Sequence, residues 1–367
     1  MKTFSLFVLL LSLSLSFNLQ ARPGDLDATF GVSGVQVYDF GTLGWFTTPT
    51  HVDMDYFQKI RLNQDGKLLL STNSYSSGYL LKINSDGSVD TGFSTEGLIR
   101  TPITGFDLNA DGKILYSAVS YELPSDRISS HSIIATPQDG NSQTQVGSIN
   151  AGEKLSAIQQ DGKIIVSGAD GRSGLWTLKR LLPTGELDET FGVHGIVELS
   201  MRAAFYMIPY IVKIDSDGKI LIAGGIEWSH SGAYTRDFII FRINTDGSRD
   251  TSFGPEGMKI IWFDDMVPRA EAAIHSVAIQ ADGKIVVAGG VLGAAYLATA
   301  DPGPTAGRSS LYIARLNHDG TLDTGFNFKW KTCNSFFGWH TITVCFYLRY
   351  CDPKRWENCL YRISRSL

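Results

Sequence analysis

Five times along the chain an apolar run breaks at Asp-Gly-Lys and then resumes: LNQDGKLLLS from Leu62, LNADGKILYS from Leu108, IQQDGKIIVSG from Ile158, IDSDGKILIAGG from Ile214 and IQADGKIVVAGG from Ile279. Each copy reads as strand, tight turn, strand. Asp-Gly between apolar runs is a strong hairpin signal, expected here as a type I′ turn, and runs such as Ile285-Val286-Val287-Ala288 supply β-branched strand formers. The run after each turn is continuously apolar rather than alternating, which predicts a strand buried on both faces. The turn glycines at 66, 112, 162, 218 and 283 are 46, 50, 56 and 65 residues apart, near the period of kelch and WD-type propeller units.

A second phrase follows most hairpins: LKINSDGSVDTGFS from Leu81, KRLLPTGELDETFG from Lys179, FRINTDGSRDTSFG from Phe241 and ARLNHDGTLDTGFN from Ala314. It predicts another strand and turn, then a short strand opened by glycine, as in Gly97-Leu98-Ile99, Gly195-Ile196-Val197 and Gly257-Met258-Lys259-Ile260. Each unit therefore holds four strands, the number in a propeller blade. The phrases set blade limits near 31–91, 92–143, 144–190, 191–252 and 253–326. The second unit is the divergent one, since Asp139-Gly140 is kept while the following Leu-Asp and Phe-Gly are absent. Tandem helices do not fit, because glycine recurs in every candidate helical window at about 1 kcal/mol each. The expected fold is all-β and propeller-like, with five four-stranded blades.

Composition agrees with a folded, turn-rich chain: of 367 residues, 43% are hydrophobic, 38 are Gly and 12 are Pro. The net charge of -5 is uneven, because residues 327–367 hold seven Lys and Arg against Asp352 and Glu357, leaving an acidic body. That body lacks the clustered Lys and Arg that a nucleic-acid partner requires. Lys2, the apolar stretch Phe4–Phe17 and the small residue Ala21 read as a signal peptide over 1–21, so export to the periplasm, the cell surface or the medium is expected. The apolar stretch is too short to span a bilayer, and no transmembrane segment is expected in the mature chain.

The phrases resemble the delta-60 repeat family, an exported group regarded as propeller-like and of unknown function. The resemblance covers residues 24–326 through Leu26-Asp27-x-x-Phe30-Gly31, the Asp-Gly-Lys-Ile hairpin and the Arg-x-Asn-x-Asp-Gly turn. It implies a fold and a compartment, and it carries over no catalytic residue. The chain departs from the pattern after Phe326. Residues 327–367 form a basic, aromatic tail holding all four cysteines, Cys333, Cys345, Cys351 and Cys359. Export permits disulfides among them in three pairings, and their spacing lacks the paired signature of a zinc site. A frameshift origin for the tail is also open, and with it an incomplete ring.

No motif of hydrolytic, metalloprotease or nucleotide-binding chemistry is present, and no catalytic residue, metal site or cofactor is expected. The repeated Asn-x-Asp-Gly-Ser/Thr-x-Asp, as at Asn84, Asp86, Ser88 and Asp90, places oxygens at alternate positions, yet its glycine falls at position 4 rather than the position 6 of a calcium loop. Turn side chains bonding their own backbone explain it better. In a four-stranded blade the constant Asp-Gly turns share one face of the disc. The connections that vary in length share the other: Gly41–Tyr56, Asp264–Ala273, Tyr121–Ser130, Glu227–Arg236 and Val291–Ser310. Variable loops on one face are the expected place for ligand, with Trp45, His51, Tyr121, Trp228, His230, Tyr234 and Tyr296 as candidate contacts. Three functions follow: an exported non-enzymatic binding or adhesion module for a protein or carbohydrate surface, a lactonase-like or glycan-acting enzyme, and a structural envelope component or truncated gene product.

Overall fold

A computed structural model of the chain describes residues 26–36, 56–73, 78–122, 127–169, 175–200, 206–230, 233–262, 271–292 and 309–326. Residues 1–21, expected as a signal peptide, and the tail from 327 lie outside these residues. The fold is an all-β, five-bladed propeller of antiparallel sheets; the first three blades are separate four-stranded sheets, and the fourth and fifth are joined into one seven-stranded sheet by a single parallel pairing, Arg236↔Glu271. The first holds β1 (Tyr56–Leu62), β2 (Leu68–Asn73), β3 (Gly78–Ile83) and β4 (Leu98–Arg100). The second holds β5 (Ile103–Leu108), β6 (Ile114–Glu122), β7 (Arg127–Thr136) and β8 (Thr144–Ile149). β9 (Glu153–Ile158), β10 (Ile164–Ala169), β11 (Trp176–Leu181) and β12 (Ile196–Leu199) make the third. The fourth is β13 (Tyr206–Ile214), β14 (Ile220–His230), β15 (Ala233–Ile243) and β16 (Met258–Ile261). Of the fifth, β17 (Glu271–Ile279), β18 (Ile285–Leu292) and β19 (Ser309–Leu316) fall among the described residues. No described helix is long and apolar enough to cross a membrane.

Two expectations are corrected. The strand after each Phe-Gly pairs with the strand before it, as in Leu81↔Leu98, Lys179↔Ile196 and Phe241↔Met258, so it closes its own sheet instead of opening the next. The blades therefore run 56–100, 103–149, 153–199 and 206–261, with the fifth beginning at 271. The Asp-Gly turns are not type I′, because only the glycine takes positive φ: 77° at Gly66, 75° at Gly112 and 84° at Gly162. Gly66 N–H donates to the Asn63 carbonyl and Asn63 N–H to the Lys67 carbonyl, which is a type I turn followed by a one-glycine bulge. The aspartate stays at negative φ and its carboxylate accepts the Lys67 N–H at 3.0 Å. The Asn-x-Asp-Gly turns repeat this geometry, with Asp86 Oδ1 accepting from Ser88 N–H and Oγ.

The second strands are buried on both faces, as their continuous apolarity predicts: Ile164, Ile165 and Val166 have almost no exposure, nor have Ile220, Leu221 and Ile222. Alternate residues feed the cores on either side, Ile165 toward the fourth blade and Ile164 and Val166 toward the second.

One ionic device repeats at the outer half of the blades. Arg242 Nε and Lys219 Nζ both reach Asp250 Oδ2, at 2.6 and 2.7 Å. The Arg242 guanidinium lies over the Phe253 ring at 4.6 Å, and its Nη1 donates to the His318 carbonyl of the fifth blade. Arg180, Asp188 and Phe191 repeat the arrangement onto Thr245, and Lys284, Arg315, Asp323 and Phe326 repeat the ion pairs and the stacking. In the first blade Lys82 stands in for the arginine and donates to the Gln138 carbonyl. The phenylalanine also fills the neighbouring turn: a Cβ on Gly247 would meet Phe191 at 3.1 Å, and one on Gly320 would meet Phe253 at 3.2 Å.

Candidate functional site

Each innermost strand carries a register shift, at Phe57/Lys59, Ile103/Gly105, Pro209/Ile211 and Ile274/Ser276 on β1, β5, β13 and β17, and opposite Ile165/Val166 on β9. Bulges re-aim side chains, and here they sit where the strands approach the axis. Arg61, Asp107 and Lys213 each stand five residues before the turn glycine of their blade. The same position in the third and fifth blades holds Ala157 and Ala278.

These residues form an ionic cluster with Lys59. Arg61 Nε donates to Asp107 Oδ1 at 2.8 Å, and Lys59 Nζ donates to Asp107 Oδ2 at 3.2 Å. Lys59 Nζ also donates to the Ser156 carbonyl of the third blade at 3.1 Å. Burial pulls the Lys59 amine down to about 8; Asp107 opposes this, and the positive charges of Arg61 and Lys213 add to it. Burial likewise lowers Lys213, assisted by Arg61. Burial raises the Asp107 carboxyl, but the charge of Lys59 and the hydrogen bond from Arg61 overcome it and hold the group below its ordinary value. Lys154, on the innermost strand of the third blade, is also lowered by burial.

Two cations thus bind one carboxylate and a third, Lys213, lies near enough to feel the charges of Arg61 and Asp107, and in this partly desolvated setting excess positive charge favours an anionic guest. On the fifth-blade side the innermost strand presents exposed His275, Ser276 and Ala278, so the cluster is not sealed there.

Of the residues expected to contact ligand, Trp45, His51 and Tyr296 lie outside the described residues. Tyr121 lies in β6, His230 ends β14 and Tyr234 lies in β15; His230 pairs with Ala233 and Tyr121 with Ile128. The stretches around them, expected as loops, are extensions of long hairpins joined across residues 123–126 and 231–232. Trp228 is 6% exposed and packs in the core between the third and fourth blades, so its ring is closed to a ligand at the surface. It stacks on Trp262 at 5.2 Å, and Trp262, 51% exposed, is the indole that faces solvent. The axial cluster is not among the sequence-expected sites, although charge five residues before the turn glycine marks three of its members.

A family profile described as "Domain of unknown function (DUF5122) beta-propeller" matches residues 63–93, 159–191, 216–253 and 296–326. The second repeat, already divergent in its phrases, is not among these segments. No curated protein matches the chain in sequence. Among solved structures, a putative TolB from Agrobacterium tumefaciens is 18% identical, covering 74% of this chain and 81% of that one at a TM-score of 0.39. A gluconolactonase from Xanthomonas campestris is 13% identical over 64% of this chain and 69% of its own, at 0.39. An α-L-arabinofuranosidase from Fusarium graminearum is 12% identical over 74% and 83%, at 0.40. Four segments of this chain thus match the repeat of a β-propeller family.

Proposed function

We propose that the chain is an exported, non-catalytic binding module of the delta-60 type whose ligand presents an anionic group, carboxylate or phosphate, to the axial cluster. The observation that carries this reading is the imbalance of Lys59, Arg61 and Lys213 against the single carboxylate of Asp107. Asp107 fixes Lys59 and Arg61 in place, leaving Lys213 as the cation for an incoming anion. Lys2 and the short apolar stretch behind it support export.

Titration calorimetry with citrate, inorganic phosphate and an acidic oligosaccharide at low ionic strength tests the reading. Binding of at least one of them, weakened about tenfold or more by Lys213→Ala and strengthened by Asp107→Asn, is expected. Affinities that ignore both substitutions overturn it. A second reading, an enzyme acting at the axis, is favoured by a lysine amine lowered to about 8, since such a group can serve as a base. Lys59→Arg separates the two, because it keeps the charge for binding and removes the titrating amine.

A further inference from the structure

The segment 26–36 has the geometry of a blade's end. In the ends of blades one, three and four, a phenylalanine is followed by a residue at positive φ and then by a pair at positive φ that opens the outermost strand. These are Ser94, Glu96 and Gly97; Gly192, His194 and Gly195; and Gly254, Glu256 and Gly257. Gly31, Ser33 and Gly34 take the same conformations, at 56°, 55° and 84°. The bridge Val32↔Val35 repeats Thr95↔Leu98 and Val193↔Ile196. The docking is repeated as well. Gly31 N–H donates to the Asp86 carbonyl at 2.7 Å, as Ser94 does to Asp139 and Gly192 to Asp246, and a Cβ on Gly87 would meet the Phe30 ring at 3.2 Å. The first blade thus receives from residues 30–31 what the second and fourth blades receive from their predecessors.

We infer that the strand opened by Val35 is the outermost strand of the fifth blade, laid antiparallel on β19 so that the N-terminal segment closes the ring. The register of the other blades places Val35 opposite Ala314 and Gln36 opposite Ile313, as Leu98 lies opposite Leu81 and Val197 opposite Leu178. Closure also covers apolar side chains at the seam. Ile60 and Leu62 of β1 are 54% and 68% exposed, whereas Phe106, Val277 and Ile279, at the same positions of other blades, lie in or against inter-blade cores.

Closure has a competitor inside the chain. Leu322-Asp323-Thr324-Gly325-Phe326 is a second copy of Leu26-Asp27-Ala28-Thr29-Phe30, and Phe326 stacks on Arg315 at 4.6 Å. In the third and fourth blades a single phenylalanine both stacks on its own arginine and fills the next turn, so only one copy fits between adjoining fifth and first blades. The N-terminal copy is favoured because it already occupies the first blade's turn and continues through Gly34. Asn327-Phe328-Lys329-Trp330, after the other copy, lacks that second glycine. Closure therefore displaces residues 322–326 and lets Asp27 take the place of Asp323 beside Arg315.

The test is a cysteine pair, Gln36→Cys with Ile313→Cys, in the full chain with its four native cysteines changed to serine, oxidised at low protein concentration. An intramolecular cross-link is expected, formed in higher yield when Asp323→Asn and Phe326→Ala weaken the competing copy. A cross-link that joins two chains, or none while the same protein unfolds cooperatively, overturns the inference. An offset pair, Gln36→Cys with Arg315→Cys, that links equally well overturns the register.

Discussion

Arg242 of the fourth blade donates to Asp250 on its own sheet at 2.6 Å and to the main-chain carbonyl of His318 in the fifth blade at 2.5 Å. Its guanidinium is buried, so both contacts are made away from solvent. Truncating one member of a buried ion pair leaves the other uncompensated, at about 3–5 kcal/mol. Arg242→Ala is expected to destabilise toward the lower end of that range, because Lys219 still faces Asp250, and Arg315→Ala by less, because Arg315 is more exposed. Urea unfolding of both variants checks the order.

Acid should weaken the molecule through the same aspartates. Burial raises the Asp250 carboxyl, but hydrogen bonds from Lys219, Ser252 and Arg242 hold it well below its ordinary 3.8, and Asp323 is lowered chiefly by Lys284. A carboxyl depressed in the folded state contributes stability that is present above its unfolded value and lost as pH falls through the folded one. Stability should therefore be level with respect to these groups down to about pH 5 and fall below about pH 4. Asp250→Asn should be less stable at neutral pH and lose part of the acid-dependent fall, read from urea midpoints across pH 3 to 7.

Lys59 gives the opposite sign. Its folded value, about 8, lies below the ordinary 10.5, so the unfolded chain binds the proton more tightly and stability should rise as pH is raised between those values. Lys59→Met should abolish that rise. Anion affinity at the axis should run the other way, falling as pH passes 8 and the amine loses its charge.

Two glycines with the same backbone conformation should respond differently. Gly66 has φ 77° and no atom within 4 Å of an added Cβ, so Gly66→Ala should lose only the conformational term, about 1 kcal/mol. Gly320 has φ 76°, and its Cβ would clash with the Phe253 carbonyl. Gly320→Ala should therefore lose clearly more than Gly66→Ala in a thermal melt, and equal losses would refute the packing of that turn.

The hairpins, their burial on both faces and the count of five units were legible because turn glycines and apolar runs are local signals. The phase of the blades was not. Whether the strand from Gly97 pairs backward with Leu81 or forward with the next unit depends on docking Phe93 against Gly140, a contact between residues far apart in sequence. The Lys and Asp of the phrases were visible, but their convergence on Arg242 is tertiary. Trp228 reads in sequence as a loop aromatic, because nothing local shows that β14 and β15 run on for 11 residues each and carry it into a core.

The lock between blades also sets a clock for synthesis. The bonds from Lys82 to Gln138, Arg180 to Thr245 and Arg242 to His318 join residues 56, 65 and 76 positions apart, always from an earlier blade to a later turn. At a translation rate of about 5–20 residues per second, the basic side chain waits roughly 3–15 s for the turn that secures it. Through that interval the blade's phenylalanine and buried arginine stand without their partner, so the nascent chain is most vulnerable to misassociation one blade behind its growing end.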